Sequence, residues 1–238
     1  MTARCSVIKG LFGDHLKVFV SDFQAGSERD PFSTWLILPT ERLVYRIRDE
    51  LSRKNVPFIP SRICTLKGLC RSYFEEYRTT TRELTKADSR LLLSLVLSDN
   101  RDSLPLFFVR ERPLPGTIED LQTFMNVITT RKVAFPECLG DLQGEKTNQI
   151  ARIISAYRNR LRELDLVDAD TLLEWTIHHL ENEGGKDPLR IFVYGLFSPL
   201  PLEQDLLTLL RERSESFTCF IPSGADPAIF CRAVAHLL

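Results

Sequence analysis

The distribution of apolar and polar positions predicts strands near both ends of the chain and helices between them. Residues 34–39 contain the run Trp35-Leu36-Ile37-Leu38, which is typical of a strand buried on both faces of a parallel sheet. Residues 16–23 fit either a strand or a helix. The other strand-like runs are residues 5–9, 61–65, 190–196 and 217–221.

Helical patterns dominate the middle of the sequence. Thr40 is expected to cap a helix that directly follows the strand at residues 34–39. Thr85 and Thr117 each stand three residues before an aspartate, which is the spacing of a capping box. A further helix is expected to begin at Pro201, because proline favours the first helical position. Other amphipathic helices are predicted over residues 66–77, 150–164 and 168–180.

These elements together predict an α/β fold in which a parallel sheet flanked by helices is interrupted by an all-helical insertion. The strand-helix-strand pattern over residues 190–221 is that of a parallel crossover unit. We expect the first part of the α/β domain at residues 1–84, the insertion at 85–183 and the continuation of the domain at 184–238. Residues 228–238 have an amphipathic helical pattern without a cap or polar tail, which indicates a truncated chain.

Composition limits the classes of function. The 238 residues are 43% hydrophobic and carry a formal net charge of -1, so any surface for nucleic acid must be a local patch. The sequence has no signal peptide and no apolar run of the roughly 20 residues that a bilayer requires, which predicts a cytoplasmic protein with no membrane partner. Its six cysteines lack the spacing of a zinc site or a disulfide framework, so we expect reduced thiols and no metal.

A local basic patch is present between residues 41 and 90, where arginines and lysines cluster and Tyr73 and Tyr77 lie among them. Proteins hold single strands by neutralising phosphates and stacking aromatic rings on bases. The alternative is that the basic residues occupy the solvated faces of two amphipathic helices and that the tyrosines belong to the core. The sequence alone leaves both interpretations open.

Four stretches carry a resemblance to a known family. Residues 36–43 (LILPTERL) run from a buried strand into a proline-polar turn and a helix, and residues 63–70 (ICTLKGLC) form a strand-Thr-x-x-x-Leu segment. Residues 190–203 (RIFVYGLFSPLPLE) end a strand in a Gly-aromatic turn before Pro-x-Glu, and residues 216–222 (SFTCFIP) form the next strand. In this order they resemble the N-terminal helicase-like region of AddB-type subunits of ATP-dependent nucleases, which are related to UvrD/Rep superfamily 1 helicases.

The resemblance implies a sheet of the P-loop NTPase, or RecA-like, type and places the helical insertion where the family has its 1B insertion. The first stretch is similar to motif Ia and the third to a degenerate motif II. In relatives, the first two stretches lie beside the DNA strand. The residues that this implies for DNA binding, together with the basic patch, are Thr40, Arg42, Arg46, Thr65, Lys67, Arg71 and Tyr73.

Nucleotide hydrolysis in such a fold needs a Gly-rich loop, a lysine, a magnesium-binding hydroxyl and an acidic residue at the end of the motif II strand. Aligned with G-x-x-x-x-G-K-[ST], the sequence places Leu16 at the lysine and Lys17 at the hydroxyl. The acidic position falls on Tyr194 or Gly195, which cannot hold magnesium. We therefore expect no ATP, no magnesium and no catalytic residue. The degenerate nucleotide-binding position comprises Gly10, Gly13 and Lys17. Lys17 either binds an anion at a helix N-terminus or is only exposed to solvent.

These features predict a helicase-like module without ATP hydrolysis that binds single-stranded or unwound DNA in double-strand-break repair and recombination. The fragment is expected to be inactive alone, and the resemblance implies a parent chain with a nuclease domain downstream and a motor helicase-nuclease subunit as partner. The alternative is a scaffold that docks on the motor subunit without contacting DNA. A nucleotide hydrolase with a non-standard loop is disfavoured by Leu16 and Tyr194.

Overall fold

The structure is a computed structural model that describes residues 4–10, 12–78, 80–109, 112–142, 144–182, 189–196 and 198–222. The chain divides into two compact units. The first comprises Met1–Glu76 and Thr176–Leu238, and the second comprises Tyr77–Trp175. Both divisions fall earlier in the chain than residues 84 and 183, where the sequence predicts them. The expected helix at residues 228–238 lies outside the described residues.

The first unit contains a five-stranded parallel sheet in the order β1-β9-β8-β2-β3, numbered along the chain. Its strands are β1 (Arg4–Gly10), β2 (Thr34–Leu38), β3 (Ile63–Thr65), β8 (Leu189–Tyr194) and β9 (Ser214–Pro222). The helices of this unit are α1 (Phe12–Arg29), α2 (Glu41–Arg53), α3 (Leu66–Tyr77), α7 (Thr171–Asn182) and α8 (Pro201–Arg213), of which α3 and α7 reach across the division between the units. The predicted α/β class with a parallel sheet is thus confirmed, and the ambiguous residues 16–23 are helical.

The sheet is covered on both faces, as the apolar run of β2 predicts. Leu36 and Leu38 lie in a cluster with Phe19 of α1 and Val44 of α2. Successive side chains of a strand point to opposite faces, so Trp35 faces the other side, where its ring stacks on that of Tyr73 in α3 at 5.6 Å. Burial of each such side chain contributes roughly 1.5–3 kcal/mol. Both faces therefore contribute to the core.

The chain connections diverge between two neighbouring strands of the sheet. From β2 the chain passes through α2 to β3 on one side, whereas from β8 it passes through α8 to β9 on the other side. Since β2 and β8 are neighbours, the connections diverge between them. In open parallel sheets, ligands bind outside the carboxyl ends of the strands at such a switch point.

The second unit is mainly helical, with α4 (Lys86–Asp99), α5 (Thr117–Thr130) and α6 (Glu145–Glu163) around one apolar core. The expectation that it is all-helical is wrong, because it also holds two pairs of very short strands. Backbone groups outside the helices satisfy one another there by pairing. The pairs are β4 (Arg82–Glu83) with β7 (Leu166–Val167) and β5 (Phe108–Val109) with β6 (Arg112–Pro113).

The two predicted capping boxes differ in outcome. The hydroxyl of Thr85 accepts a hydrogen bond from the backbone N–H of Asp88, whose carboxylate accepts one in return from the backbone N–H of Thr85, so this box is confirmed. Thr117, in contrast, is the first residue of α5, and Gly116 occupies the N-cap with a φ of 79°. Glycine adopts that left-handed conformation without steric cost, so it displaces the threonine from the cap.

Candidate nucleic-acid interface

Two helices begin at the carboxyl ends of β2 and β3. Thr40 caps α2, and its hydroxyl accepts a hydrogen bond of 3.3 Å from the backbone N–H of Leu43. Thr65, at the end of β3, accepts one of 3.1 Å from the backbone N–H of Gly68 in the first turn of α3. Both predicted threonines therefore organise helix N-termini, where backbone N–H groups favour anions.

The two helix starts are joined by a side-chain contact. The hydroxyl of Thr65 donates a hydrogen bond of 3.0 Å to Oε1 of Glu41, the first residue of α2. The N-terminal ends of α2 and α3 thus lie close together at one edge of the sheet. The carboxylate of Glu41 also adds a negative charge at a place that otherwise favours anions.

The structure separates the basic residues of this segment by role. The guanidinium of Arg48 donates hydrogen bonds of 2.7 Å to the carbonyl oxygens of Pro60 and Ile63. That of Arg62 lies 4.1 Å from the centroid of the Trp35 ring and pairs with Glu76 at 3.3 Å. These two arginines hold α2, β3 and α3 in place. We therefore assign both to the scaffold of the first unit and not to a binding surface.

The end of α2 holds two further cations in local ion pairs. Arg53 pairs with Asp49 at 2.8 Å, and Lys54 pairs with Glu50 at 3.3 Å. Exposed pairs of this kind contribute only about 0.3–0.5 kcal/mol, but they neutralise the local charge. Arg53 and Lys54 at the end of α2 therefore add little net positive charge to the surface.

Four of the predicted residues remain as exposed cations. Arg42 and Arg46 lie one turn apart on α2, and Lys67 and Arg71 lie one turn apart on α3. Arg42 and Lys67 form no ion pair with another residue of the described segments. Each of these two stands in the first turn of its helix, beside the N-terminal edge that Thr40 and Thr65 organise.

Tyr73 does not serve the role that the sequence suggested. Its exposed fraction is 7%, and its ring stacks on Trp35 with an interplanar angle of 15°. A ring fixed in the core cannot receive a base, so the core interpretation of this tyrosine is correct. Tyr77, the other aromatic residue of the patch, is exposed at the end of α3.

Sequence reasoning missed a different tyrosine. Tyr45 on α2 has an exposed fraction of 66%, and it lies one turn after Arg42 on the outer face of the helix. The guanidinium of Arg48 lies 6.0 Å from the centroid of its ring. The available signal was the helical spacing itself, because Val44, Ile47 and Leu51 on the buried face place Tyr45 on the opposite face.

The degenerate nucleotide position lacks the length of a phosphate-binding loop. β1 ends at Gly10 and α1 begins at Phe12, so Gly13 already lies inside the helix. Lys17 is exposed in the second turn of α1. A loop that cradles phosphates requires several residues between strand and helix, and only Leu11, which is outside the described residues, stands there.

The motif II position is occupied by a buried phenol. Tyr194 ends β8, and burial raises the pKa of its hydroxyl while the nearby Arg46 guanidinium partly opposes this rise. Gly195 follows with a φ of 67°, which turns the chain sharply. Glu203 does not reach the edge as a substitute acid, because its carboxylate accepts a hydrogen bond of 2.8 Å from the backbone N–H of Leu200 and caps its own helix.

Two thiols close to the site are unsuited to nucleophilic chemistry. Burial raises the pKa of Cys64 on β3 and of Cys70 on α3 to about 12 each. The reactive species is the thiolate, and the thiol form predominates at neutral pH. These cysteines therefore contribute to packing between β3 and α3.

Comparison with known proteins does not add a family. No protein-family model matches the chain, and no curated protein is similar to it in sequence. Among the described residues, no helix combines the length and apolar character needed to cross a membrane.

Proposed function

We propose that this chain is a RecA-like, helicase-like module that binds single-stranded DNA at the carboxyl edge of its sheet and does not hydrolyse ATP. The single observation that carries the proposal is the convergence of two helix N-termini with Arg42 and Lys67 exposed in their first turns. The parallel pairing of β2 with β3 brings these helix starts together, and the Glu41–Thr65 hydrogen bond links them. Phosphates of a strand are bound by such a combination of cations and backbone N–H groups.

The strand order supports the finer fold assignment. A parallel sheet in which the first and last described strands are neighbours is compatible with a RecA-like fold. In that fold, the resemblance to AddB-type subunits aligns Thr40 with motif Ia and Tyr194 with a degenerate motif II. The short β1-to-α1 connection and the Tyr194 phenol agree with a role in handling DNA without a nucleotide.

Salt-dependent titration tests the proposal. Anisotropy of labelled single-stranded DNA is measured at several salt concentrations for the wild type and an Arg42→Ala, Lys67→Ala, Arg71→Ala variant. The logarithm of the binding constant falls linearly with the logarithm of the salt concentration, and each phosphate contact on a single strand contributes about 0.7 to this salt slope. The variant lacks three cations, so its salt slope is expected to be smaller by about 2. The control is a triple variant in which Arg53, Lys54 and Arg160 are replaced by alanine. It removes the same number of positive charges from residues that form ion pairs, and we expect it to keep the salt slope of the wild type.

A docking scaffold is the second candidate, and one surface of the second unit favours it. Leu91 and Leu95 lie one turn apart on α4 and are both more than half exposed. Apolar pairs on an outer helix face are common in protein-binding surfaces. If the wild type binds no single-stranded DNA at low salt, DNA binding is refuted for this chain and the scaffold becomes the better proposal.

A further inference from the structure

The outer face of α2 carries an aromatic ring that the phosphate contacts do not require. Tyr45 is 66% exposed, whereas Val44 and Ile47 on the opposite face of the same helix are buried. Arg42 precedes it by one turn and Arg46 follows it directly. A ring beside the exposed guanidinium of Arg42 lies where the bases of a strand would pass if that group binds a phosphate.

The ring lies near an arginine that is itself fixed. Arg48 lies 6.0 Å from the centroid of the Tyr45 ring, and its guanidinium is anchored to the carbonyl oxygens of Pro60 and Ile63. A side chain that is ordered before binding loses less conformational entropy when a partner arrives. Tyr45 is therefore partly prearranged as a flat surface for stacking.

The charges around the ring favour a polyanion. Asp49, one turn beyond Tyr45, is paired with Arg53 at 2.8 Å. Glu41, one turn before it, accepts the hydrogen bond from Thr65. Arg53 offsets the charge of Asp49, whereas Glu41 keeps its negative charge, so Arg42 and Arg46 leave a local excess of one positive charge.

We propose that Tyr45 stacks on an exposed base, so that this surface selects nucleic acid whose bases are unpaired over duplex. The inference rests on the proposed function, and it adds a base-dependent contact to the phosphate contacts of Arg42 and Lys67. A duplex of the same length offers phosphates but hides the faces of its bases within the helix. Aromatic stacking is tolerant of sequence because every base presents a π-face.

The probes are labelled oligo-dT, an abasic oligonucleotide of the same length and a duplex, each of about 16 nucleotides. The wild type is expected to bind oligo-dT about tenfold more tightly than the abasic strand, because one stacked base is lost. Tyr45→Ala removes this preference, and Tyr45→Phe retains it because the ring remains. The salt slope is unchanged in Tyr45→Ala, since no charge is removed.

The matched control is Phe32→Ala. Phe32 is 68% exposed and precedes β2, so it lies at the opposite edge of the same sheet. This variant is expected to bind all three probes as the wild type does. Equal melting temperatures for the two alanine variants and the wild type show that the fold is intact.

The outcomes separate the two proposals. If the wild type binds oligo-dT and the abasic strand equally, or if Tyr45→Ala keeps the preference for oligo-dT, the stacking role is overturned while phosphate binding stands. If no probe binds at low salt, both proposals fail. Loss of the preference in Tyr45→Ala alone, with Phe32→Ala unaffected, supports the stacking role.

Discussion

The hydroxyl of Thr65 donates a 3.0 Å hydrogen bond to Oε1 of Glu41, which joins the last residue of β3 to the first residue of α2. The two helix N-termini meet at one edge of the sheet because β2 and β3 are parallel neighbours, and this contact links them there. It also places a carboxylate among groups that would otherwise bind an anion. The site thus contains a stabilising interaction within the protein that opposes the binding of phosphate.

Neutralising Glu41 should therefore increase affinity for DNA. In Glu41→Gln, the amide oxygen still accepts the hydrogen bond from Thr65, but one repulsive charge is removed. We expect the dissociation constant for single-stranded DNA to fall roughly threefold at low salt and the difference to shrink as salt is raised. Anisotropy titration measures the dissociation constant and its dependence on salt. Glu75→Gln, an exposed position later on α3, is the control, and an equal gain there would refute a local effect.

Removal of Arg48 should lower the stability of the first unit, whereas removal of Arg42 should not. Arg48→Ala loses two hydrogen bonds to backbone carbonyls, and we expect the free energy of unfolding to fall by about 2 kcal/mol. Arg42 is exposed, so Arg42→Ala should change the free energy of unfolding by less than about 0.5 kcal/mol. Urea titration, followed by Trp35 fluorescence in a Trp175→Phe background, reports on the first unit. Equal midpoints for the two variants would contradict this assignment of roles.

Arg62 should affect both the stability of the first unit and the emission of Trp35. Its guanidinium covers one face of the indole at 4.1 Å, so Arg62→Ala removes a cation–π contact worth about 1 kcal/mol and admits water to the ring. We expect a lower urea midpoint and emission at longer wavelength in the Trp175→Phe background. Arg53→Ala, which breaks only an exposed pair, should leave both quantities unchanged.

Stability should decline at alkaline pH because of two buried thiols. Folding raises the pKa of Cys64 and Cys70 from 9.0 to about 12, so above pH 9 the unfolded chain binds fewer protons than the folded chain. The free energy of unfolding then falls as pH rises from 9 to 12, by at most about 1.4 kcal/mol per unit for each thiol. A Cys64→Ala, Cys70→Ala variant should show a shallower decline between pH 8.5 and 10.5. Parallel profiles for the two proteins would refute the role of the thiols.

Magnesium-ATP should not change the melting temperature. α1 begins two positions after the end of β1, which leaves no loop to enclose phosphates. A ligand present at 100 times its dissociation constant would add about 2.7 kcal/mol to the free energy of unfolding, a readily measured shift. A rise in melting temperature that is absent in Lys17→Ala would show that the degenerate position still binds nucleotide.

The sequence determined the local elements because their signals are local. The apolar run from Trp35 to Leu38 predicts a buried parallel strand. Thr40 predicts the start of the next helix, where its hydroxyl accepts a hydrogen bond from the backbone N–H of Leu43, three residues later. The same is true of Thr85 and Asp88. The parallel crossover between β8 and β9 also followed, since a strand, a helix and a strand over about thirty residues form that unit.

The role of each charged or aromatic side chain at the candidate site was decided only by the tertiary structure. Arg48 and Arg42 are equivalent in the sequence pattern, but the carbonyl groups that fix Arg48 come from another segment of the chain. Tyr73 faces the core because β2 brings Trp35 beneath it, and Tyr45 remains outside because no described part of the chain covers that face of α2. Spacing along a helix specifies a face, and only packing specifies what lies against that face.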